Sequence, residues 1–139
     1  MAGTYIHGGQ PGFLHTLGGV SLCVDSMDVT INRNVIDTRT NCGNEQTPGE
    51  VSTEVSDAGP LGFGAGSDEI TKYTHIVGTA DAAWTARPSS AAVGAANPTY
   101  SGNLLATQFK ISMTPTGNVT QSTSYKLTDT TGYPARATS

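Results

Sequence analysis

The residues of this chain best able to bind a metal or act as nucleophiles are three histidines and two cysteines. His7, His15 and His75 are scattered and show no metal-ligand spacing such as His-Glu-x-x-His. Cys23 and Cys42 do not form a Cys-x-x-Cys pair. We therefore predict no metal and no cofactor, histidines that are exposed or half-buried, and cysteines that are buried free thiols in a reducing compartment.

Short motifs for other chemistry are also missing from the sequence. The glycine-rich run from Gly62 to Ser67 lacks the following lysine of a phosphate-binding loop. No Gly-x-Ser-x-Gly segment is present to expose a nucleophilic serine on a sharp turn. The carboxylates cluster without a flanking apolar cleft, which weakens a glycosidase-type pair. The sequon at Asn118–Thr120 has no secretion signal to support glycosylation. We predict that the protein is not an enzyme.

Composition indicates a single β domain. The 139 residues include 13% charged and 36% hydrophobic residues, with 17 glycines and 7 prolines to form many turns. Serine and threonine take the place of charge, and β-branched residues favour strands. A charge-poor surface fits a subunit whose faces are covered by neighbours, and it equally fits a stable β protein with hydroxylated faces.

The charge balance and hydropathy limit the partners. The formal net charge is −4, which argues against a domain that grips nucleic-acid phosphates. No run of eighteen apolar residues predicts a membrane span. The N-terminus shows neither the basic nor the apolar region of a signal peptide, so we expect the protein to stay in a cytoplasm or to be released by lysis.

A long hairpin is predicted from Leu104 to Thr128. Alternation places Leu105, Phe109 and Met113 on one face, and it resumes after a turn at residues 114–117. Proline presets φ in that turn, and glycine accepts the left-handed conformation. Strands of about ten residues exceed the usual five or six, which is typical of barrels, sandwiches and assemblies.

Further elements are expected on both sides of the hairpin. Additional strands are predicted at residues 20–24, 27–32, 35–40, 51–55 and 70–77. A turn or bulge is expected at Arg33-Asn34. The one predicted helix spans 79–88, with Thr79 as its cap, Pro88 at its end and Trp84 docked on the sheet.

The longest predicted irregular region spans residues 43–69. It carries six of the eleven acids and two isolated apolar residues among glycines. Long loops in compact domains are usually functional or mobile. Phe63 either anchors a neighbouring subunit or packs on its own core. The candidate stacking residues are Glu45, Glu50, Glu54, Asp57, Leu61, Phe63, Asp68 and Glu69.

Both ends of the single domain, residues 1–139, are interpreted as extensions. The glycine-rich residues 1–18 are predicted to form an N-terminal arm, and residues 130–139 a C-terminal tail. The apolar residues that could contact another subunit from these segments are Phe13, Leu14 and Tyr133.

Two segments resemble a known family. The run from Ser26 to Thr40, which ends in Val35-Ile36-Asp37-Thr38-Arg39-Thr40, resembles the early strands of the major tail tube proteins of phages with long, non-contractile tails and of gene-transfer-agent-like tails. The closing hairpin, with its Pro-Thr-Gly turn and final strand containing Val119 and Tyr125, resembles the end of the same family. The resemblance covers roughly residues 20–130.

The resemblance implies an all-β fold, mainly β with one short helix, as a β-barrel or sandwich with an extended loop and terminal arms. It implies six subunits that pair strands around a ring, and rings that stack through the 43–69 loop and the termini. The partners would be other copies of the chain, a tape-measure protein, and tail-tip or terminator proteins. DNA would pass through the lumen without specific binding. The implied location is the virion tail, with the host cytoplasm during assembly.

Two other classes of protein stay open. A capsid decoration or tail-fibre β module would share the composition, and its acidic 43–69 loop could stay mobile. A carbohydrate-binding β-sandwich needs exposed aromatic platforms, whereas aromatic residues are only 6% of the chain. The single tryptophan, Trp84, is assigned to the predicted helix, which disfavours the sugar-binding alternative.

Overall fold

The computed structural model describes residues 12–139, which form one antiparallel sheet and one helix. The strands are β1 (Leu14–Leu17), β2 (Val20–Ser21), β3 (Ser26–Thr40), β4 (Gly43–Pro60), β5 (Ala82–Arg87), β6 (Thr99–Met113), β7 (Val119–Leu127) and β8 (Ala135–Ala137), and the helix is α1 (Asp68–Val77). Their order is β2-β1-β5-β6-β7-β4-β3, with β8 paired to β6. The predicted all-β class with one short helix is confirmed. Within the described residues the sheet does not close on itself.

The hairpin of β6 and β7 is present as predicted, with one change of face. Met113 pairs with Val119 across a turn in which the Gly117 amide donates to the Thr114 carbonyl oxygen at 3.1 Å. Gly117 has φ +97°, which explains glycine there. The register shifts between Ala106 and Gln108, so Thr107 is a bulge and Leu105 lies on the face opposite Phe109.

The predicted loop at residues 43–50 and 56–60 is wrong, because both segments belong to a strand, whereas the short strand predicted at residues 51–55 is confirmed as part of it. Residues 43–60 form β4, which pairs with β3 from Gly43 to Ala58 across one bulge and with β7 from Glu54 to Pro60. Pro48, Gly49 and several acids disfavour a strand locally, but pairing with neighbouring strands overrides that propensity. The irregularity expected at Arg33-Asn34 is confirmed as a bulge, and Gly49 lies opposite it against the Asn34 carbonyl.

The strand predicted at residues 70–77 and the helix predicted at residues 79–88 occur in the reverse order. Residues 70–77, predicted as a strand, belong to α1, whose N-cap is Ser67 and whose first turn carries Asp68 and Glu69. The predicted helix over 79–88 is wrong, because residues 82–87 form β5. Trp84 and Ala86 alternate inward there, a period-two pattern hidden among alanines.

One face of the sheet, here called the core face, carries the hydrophobic core. Its buried residues are Leu17, Leu22, Val55, Trp84, Ala86, Leu104, Tyr125 and Leu127. The helix packs against β6 on this face. The described parts of both terminal extensions join the sheet, since residues 14–17 form β1 and residues 135–137 form β8. The rest of the predicted N-terminal arm, residues 1–11, lies outside the described residues.

Candidate functional site

Four long strands, in the order β6-β7-β4-β3, form a continuous sheet whose second face is polar. Directly paired residues share a face, so the register aligns this polar face in rows. Its members include Ser26, Asp28, Thr30, Glu54, Ser56, Ala58, Gln108, Lys110, Ser112, Thr120, Ser122, Ser124 and Lys126, and the apolar Leu105 and Pro60 lie on the same face at its margins. Two acids and two lysines are the charges in this set, and they balance.

Each end of this four-stranded sheet leaves a strand edge without a strand partner among the described residues. The outer edge of β3 is one, because β3 pairs only with β4. The other belongs to residues 105–113 of β6, since β5 pairs with β6 only as far as Leu104. Unpaired edges present a row of backbone donors and acceptors to any chain that can add a strand.

His75 satisfies the first backbone amide of the β6 edge. The Ala106 amide donates to His75 Nε2 at 3.0 Å, two residues beyond Leu104, the last residue of β6 that pairs with β5. Nε2 must therefore be unprotonated to accept this bond. Burial lowers the pKa of His75, and the charge of Asp81 offsets part of that effect. The helix thus fixes the start of the open edge.

The distal part of the β3–β4 hairpin, here called the β-arm (residues 33–51), extends beyond the third strand. Its side chains are exposed except for half-buried Gly49 and Val51. Val35 and Ile36 are 59% and 55% exposed, although both are apolar. A two-stranded ribbon alone is only marginally stable in water. The β-arm is therefore a segment expected to gain from contact with another chain.

A buried polar cluster joins four elements beneath the helix. The Asp57 carboxylate accepts hydrogen bonds from His15 Nε2 at 2.8 Å, from the Tyr125 hydroxyl at 3.2 Å and from Lys72 Nζ. These residues belong to β4, β1, β7 and α1. Burial alone would raise the pKa of Asp57, but the hydrogen bonds from His15 and Lys72 outweigh it, and the pKa lies below its usual value.

Three further residues, Gln121, Thr123 and Trp84, provide the remaining hydrogen-bond partners of Lys72 and His15. Lys72 Nζ also donates to Gln121 Oε1 at 2.8 Å and to Thr123 Oγ1 at 3.1 Å. Trp84 Nε1 donates to His15 Nδ1 at 3.1 Å, so Nδ1 is unprotonated and the ring is neutral. Within residues 12–139 no buried side-chain polar atom lacks a partner. The cluster fastens α1 to the sheet.

The sequence reasoning missed this cluster, although one signal was available. His15 and Asp57 occupy the inward positions of alternating strands, where apolar residues are expected. A polar residue in that position must find a partner or remain costly to bury. Lys72 could not be paired with them, because its segment was predicted as a strand.

Residues 12–139 show neither a cluster of metal-ligating side chains nor a membrane-spanning helix. No group of three His, Cys, Asp or Glu side chains that could hold a metal occurs in the part of the chain that the structure describes. None of the described helical segments is long and apolar enough to cross a membrane. A groove of about 440 Å³ lies on the core face between β3 and β5, lined mainly by apolar side chains that include Phe13, Val29 and Tyr100.

The eight predicted stacking residues lie in five different environments. Glu45 and Glu50 lie on the β-arm, and Glu54 lies on the polar face. Asp57 and Leu61 are buried in their own subunit, at 3% and 8% exposure. Because Asp57 is in the core, replacing residues 57–67 by a linker would disrupt the monomer and would not test stacking alone.

The other three stacking candidates follow β4. Phe63 is 58% exposed in the loop before the helix, so it does not pack on its own core. Asp68 and Glu69 begin α1, and Asp68 Oδ2 accepts a hydrogen bond from the Cys23 amide at 2.8 Å. These two acids therefore stabilise α1, because negative charge in the first turn interacts favourably with the helix dipole.

The predicted arm contacts and cysteines have mixed outcomes. Phe13 lines the groove and Tyr133 is 51% exposed, whereas Leu14 is half-buried within β1. Both cysteines are free thiols as predicted, but they are exposed and not buried. Cys42 lies in the turn between β3 and β4, at the tip of the β-arm.

Comparison with known proteins relates this chain to solved tail structures. No protein-family model and no curated protein match the sequence. A chain from the virion of a native gene transfer agent (GTA) particle has a TM-score of 0.67 at 12% identity, covering 97% of this chain and 99% of that chain. A chain from the SPP1 tail tube has a TM-score of 0.72 at 12% identity, covering 97% of this chain and 80% of that chain.

A third structure adds a symmetric assembly. A chain from the tail of an empty GTA particle, refined with C6 symmetry, has a TM-score of 0.58 at 13% identity and covers 84% of this chain and 81% of that chain. The protein therefore has the fold of tail tube proteins. The resemblance predicted from the sequence is confirmed at the level of the fold.

Proposed function

We propose that this protein is a structural virion protein whose copies pair into six-membered rings, and that the rings stack into a tail tube. The fold shared with the SPP1 tail tube and the GTA tail supports this proposal, and the C6 symmetry of the latter supports the ring size. The proposed location is the virion tail, with assembly in the host cytoplasm. The function is structural and not enzymatic.

The observation that carries the proposal is the pair of unlike open edges on the four-stranded sheet. Neighbouring strands are antiparallel, so β6 and β3, separated by two strands, run in opposite directions. The β3 edge of one copy can therefore join the β6 edge of the next as another antiparallel pair. Such a head-to-tail interface closes into a ring and removes both unpaired edges.

In this ring the polar face would line the lumen, since the core face is occupied by the helix and the core. Serine and threonine dominate that face, and its charges, Asp28, Glu54, Lys110 and Lys126, balance. A wall without a basic surface gives DNA phosphates little to bind. We infer that DNA, and a tape-measure protein before it, pass through this lumen without specific binding.

Stacking of rings is assigned to the β-arm, with Phe63 as a second contact. The β-arm carries Glu45 and Glu50 and exposes the apolar pair Val35 and Ile36. Burial of these side chains against the next ring would stabilise the ribbon. Phe13, Leu14 and Tyr133 remain proposed contacts of the terminal segments, and tail-tip and terminator proteins remain the proposed partners at the tube ends.

Negative-stain electron microscopy of the purified protein at rising concentration tests this function. We expect hollow six-fold rings or long tubes. A stable compact trimer would contradict the proposal and favour a capsid decoration module. The sugar-binding alternative lacks its main platform, because Trp84 is 1% exposed.

A further inference from the structure

We infer that the ring joint has one register, in which β3 of one copy pairs with β6 of the next so that Asp28 lies opposite Lys110. This inference rests on the proposed function and specifies its interface. It places Met27 opposite Ile111 and Val29 opposite Phe109. The occupant of each open edge is therefore a second copy of this chain.

The first argument is a matched pair of apolar rows on the core face. Met27, Val29 and Ile31 lie on the core face of β3, because they pair with Asp57, Val55 and Thr53. After the bulge at Thr107, the core face of β6 carries Phe109, Ile111 and Met113. Phe109 pairs with Thr123, Ile111 with Gln121, and Met113 with Val119.

Both rows are only partly covered within one subunit. Val29 and Ile31 are 37% and 50% exposed, and Met113 is 72% exposed. Side chains directly opposite in an antiparallel pair lie about 5 Å apart and contact each other. Joining the two edges would therefore bury one apolar row against the other and extend the groove beside β3 into an interface.

The second argument is charge on the polar face. Asp28 is the charged residue of β3 between Ser26 and Thr30, and Lys110 is the charged residue of β6 between Gln108 and Ser112. Both are exposed, and neither forms an ion pair within residues 12–139. Opposite charges across two unlike edges favour joining one edge to the other and disfavour joining an edge to itself.

The third argument selects the register among the few that keep the faces aligned. A shift by one residue would put each apolar row against a polar one, so registers differ in steps of two. Moving β3 two residues in one direction sets Asp28 opposite Ser112, and in the other direction opposite Gln108. The first of these shifts also keeps Met27 and Val29 on apolar partners, Met113 and Ile111, so the charge pair between Asp28 and Lys110 is what selects the register proposed here.

Cysteine cross-linking in the assembled protein tests the register. In a Cys23→Ser, Cys42→Ser background, Val29→Cys with Phe109→Cys should give a ladder of covalent oligomers up to the hexamer on mild oxidation. Within one subunit these positions are three strands apart, about 14 Å, which is too far for a disulfide. The matched control, Val29→Cys with Ile111→Cys, should give at least about tenfold less cross-linking, because these positions are diagonal.

The outcomes separate the register from the proposed function. Rings that cross-link through the control pair, or through neither pair, would overturn the register while leaving the function standing. A parent background that forms a stable trimer would overturn both. Electron microscopy of the same samples reports whether rings are present.

A charge exchange keeps the test decisive where a cysteine variant fails to assemble. Asp28→Lys and Lys110→Asp should each lower the yield of rings at least about fivefold, because like charges then face each other at every joint. The double variant should recover a yield within about twofold of the parent, since the pair is restored in reverse. Equal losses in the single and double variants would overturn the pairing.

Discussion

The two halves of β4 differ in their strand partners and in the burial of their side chains. From Glu54 to Ala58 the strand pairs with both β3 and β7 and presents Val55 and Asp57 to the core, whereas the β-arm half pairs with β3 alone and is exposed. In the first half, side chains are determined by packing and by the buried polar cluster. In the second half, the side chains are exposed except for half-buried Val51, and none of them belongs to the hydrophobic core. The buried residues that stabilise the fold therefore lie outside the β-arm, and assembly is the role that we propose for the β-arm itself.

The largest effect is expected where Lys72, the cation of the buried polar cluster, is removed from the packed part of the protein. Lys72→Met should lower the free energy of unfolding by about 3–5 kcal/mol, because it leaves the Asp57 carboxylate buried without its charge partner. Urea denaturation measures the change. The control Lys126→Met, on the exposed polar face, should change it by less than about 0.5 kcal/mol.

A double variant distinguishes the charge from packing. Asp57→Asn together with Lys72→Met should recover at least about 1 kcal/mol of the loss, since the uncompensated charge is gone. If Lys72→Met and Lys126→Met proved equally mild, the cluster would not be what fastens the helix to the sheet.

The next effect lies at the junction of body and β-arm. Gly132 has φ +77°, and a Cβ there would overlap the Val51 carbonyl. Gly132→Ala should therefore cost at least about 2 kcal/mol, by strain and by displacement of the segment whose carbonyl accepts from Thr53 Oγ1 at 2.7 Å. Gly62→Ala, with open space around it, is the matched control and should be nearly neutral in thermal unfolding.

Removing the β-arm should have a small effect on folding and a large one on stacking. Arg33 and Val51 are paired, so an Asn-Gly turn can replace residues 34–50. We expect the unfolding free energy to change by about 1 kcal/mol or less, because the removed side chains are exposed. Electron microscopy should then show single rings in place of tubes. Tubes of normal length would move stacking to Phe63, for which Phe63→Ser is the companion variant.

The smallest expected effect is the pH dependence set by His75. Its pKa is lowered in the folded state, so the unfolded chain binds more protons as the pH falls below about 6.5. The stability that neutral His75 contributes is therefore present above that pH and decreases as the pH falls below it. His75→Gln, which can still accept from the Ala106 amide, should flatten this part of the profile in chemical denaturation. An unchanged profile would exclude His75 as the cause.

The sequence predicts the strands whose apolar and polar residues alternate, but it does not predict the elements whose structure depends on residues distant in sequence. The hairpin of β6 and β7 and the bulge near Asn34 follow from period-two patterns and turn residues. Within the β-arm the sequence predicts the strand at residues 35–40 but a loop at residues 43–50, because Pro48 and Gly49 mark turns locally and only pairing with β3 makes them part of β4. Residues 70–77 contain β-branched and aromatic side chains typical of strands, whereas the Ser67 cap and the buried Lys72 determine a helix.

The candidate site was harder to predict than the fold. Glu45, Glu50 and Phe63 are exposed as an assembly contact requires, but Asp57 belongs to the core, and its partners are 15 to 68 residues away in sequence. The apolar rows of the open edges were invisible as a pair, because the face of Phe109 depends on one bulged residue. An unpaired edge is a property of topology, and composition does not reveal it.

The bulge at Thr107 has a consequence for how such a sequence can evolve. It is the one extra residue that keeps Leu104 and Phe109 on the same face of β6, although they are an odd number of positions apart. Loss of that residue would turn every later side chain of the strand over. Substitutions among the serines and threonines of the polar face, by contrast, exchange one small hydrophilic group for another. Drift in identity is thus tolerated far more readily than a change in length, which fits a shared fold at 12–13% identity.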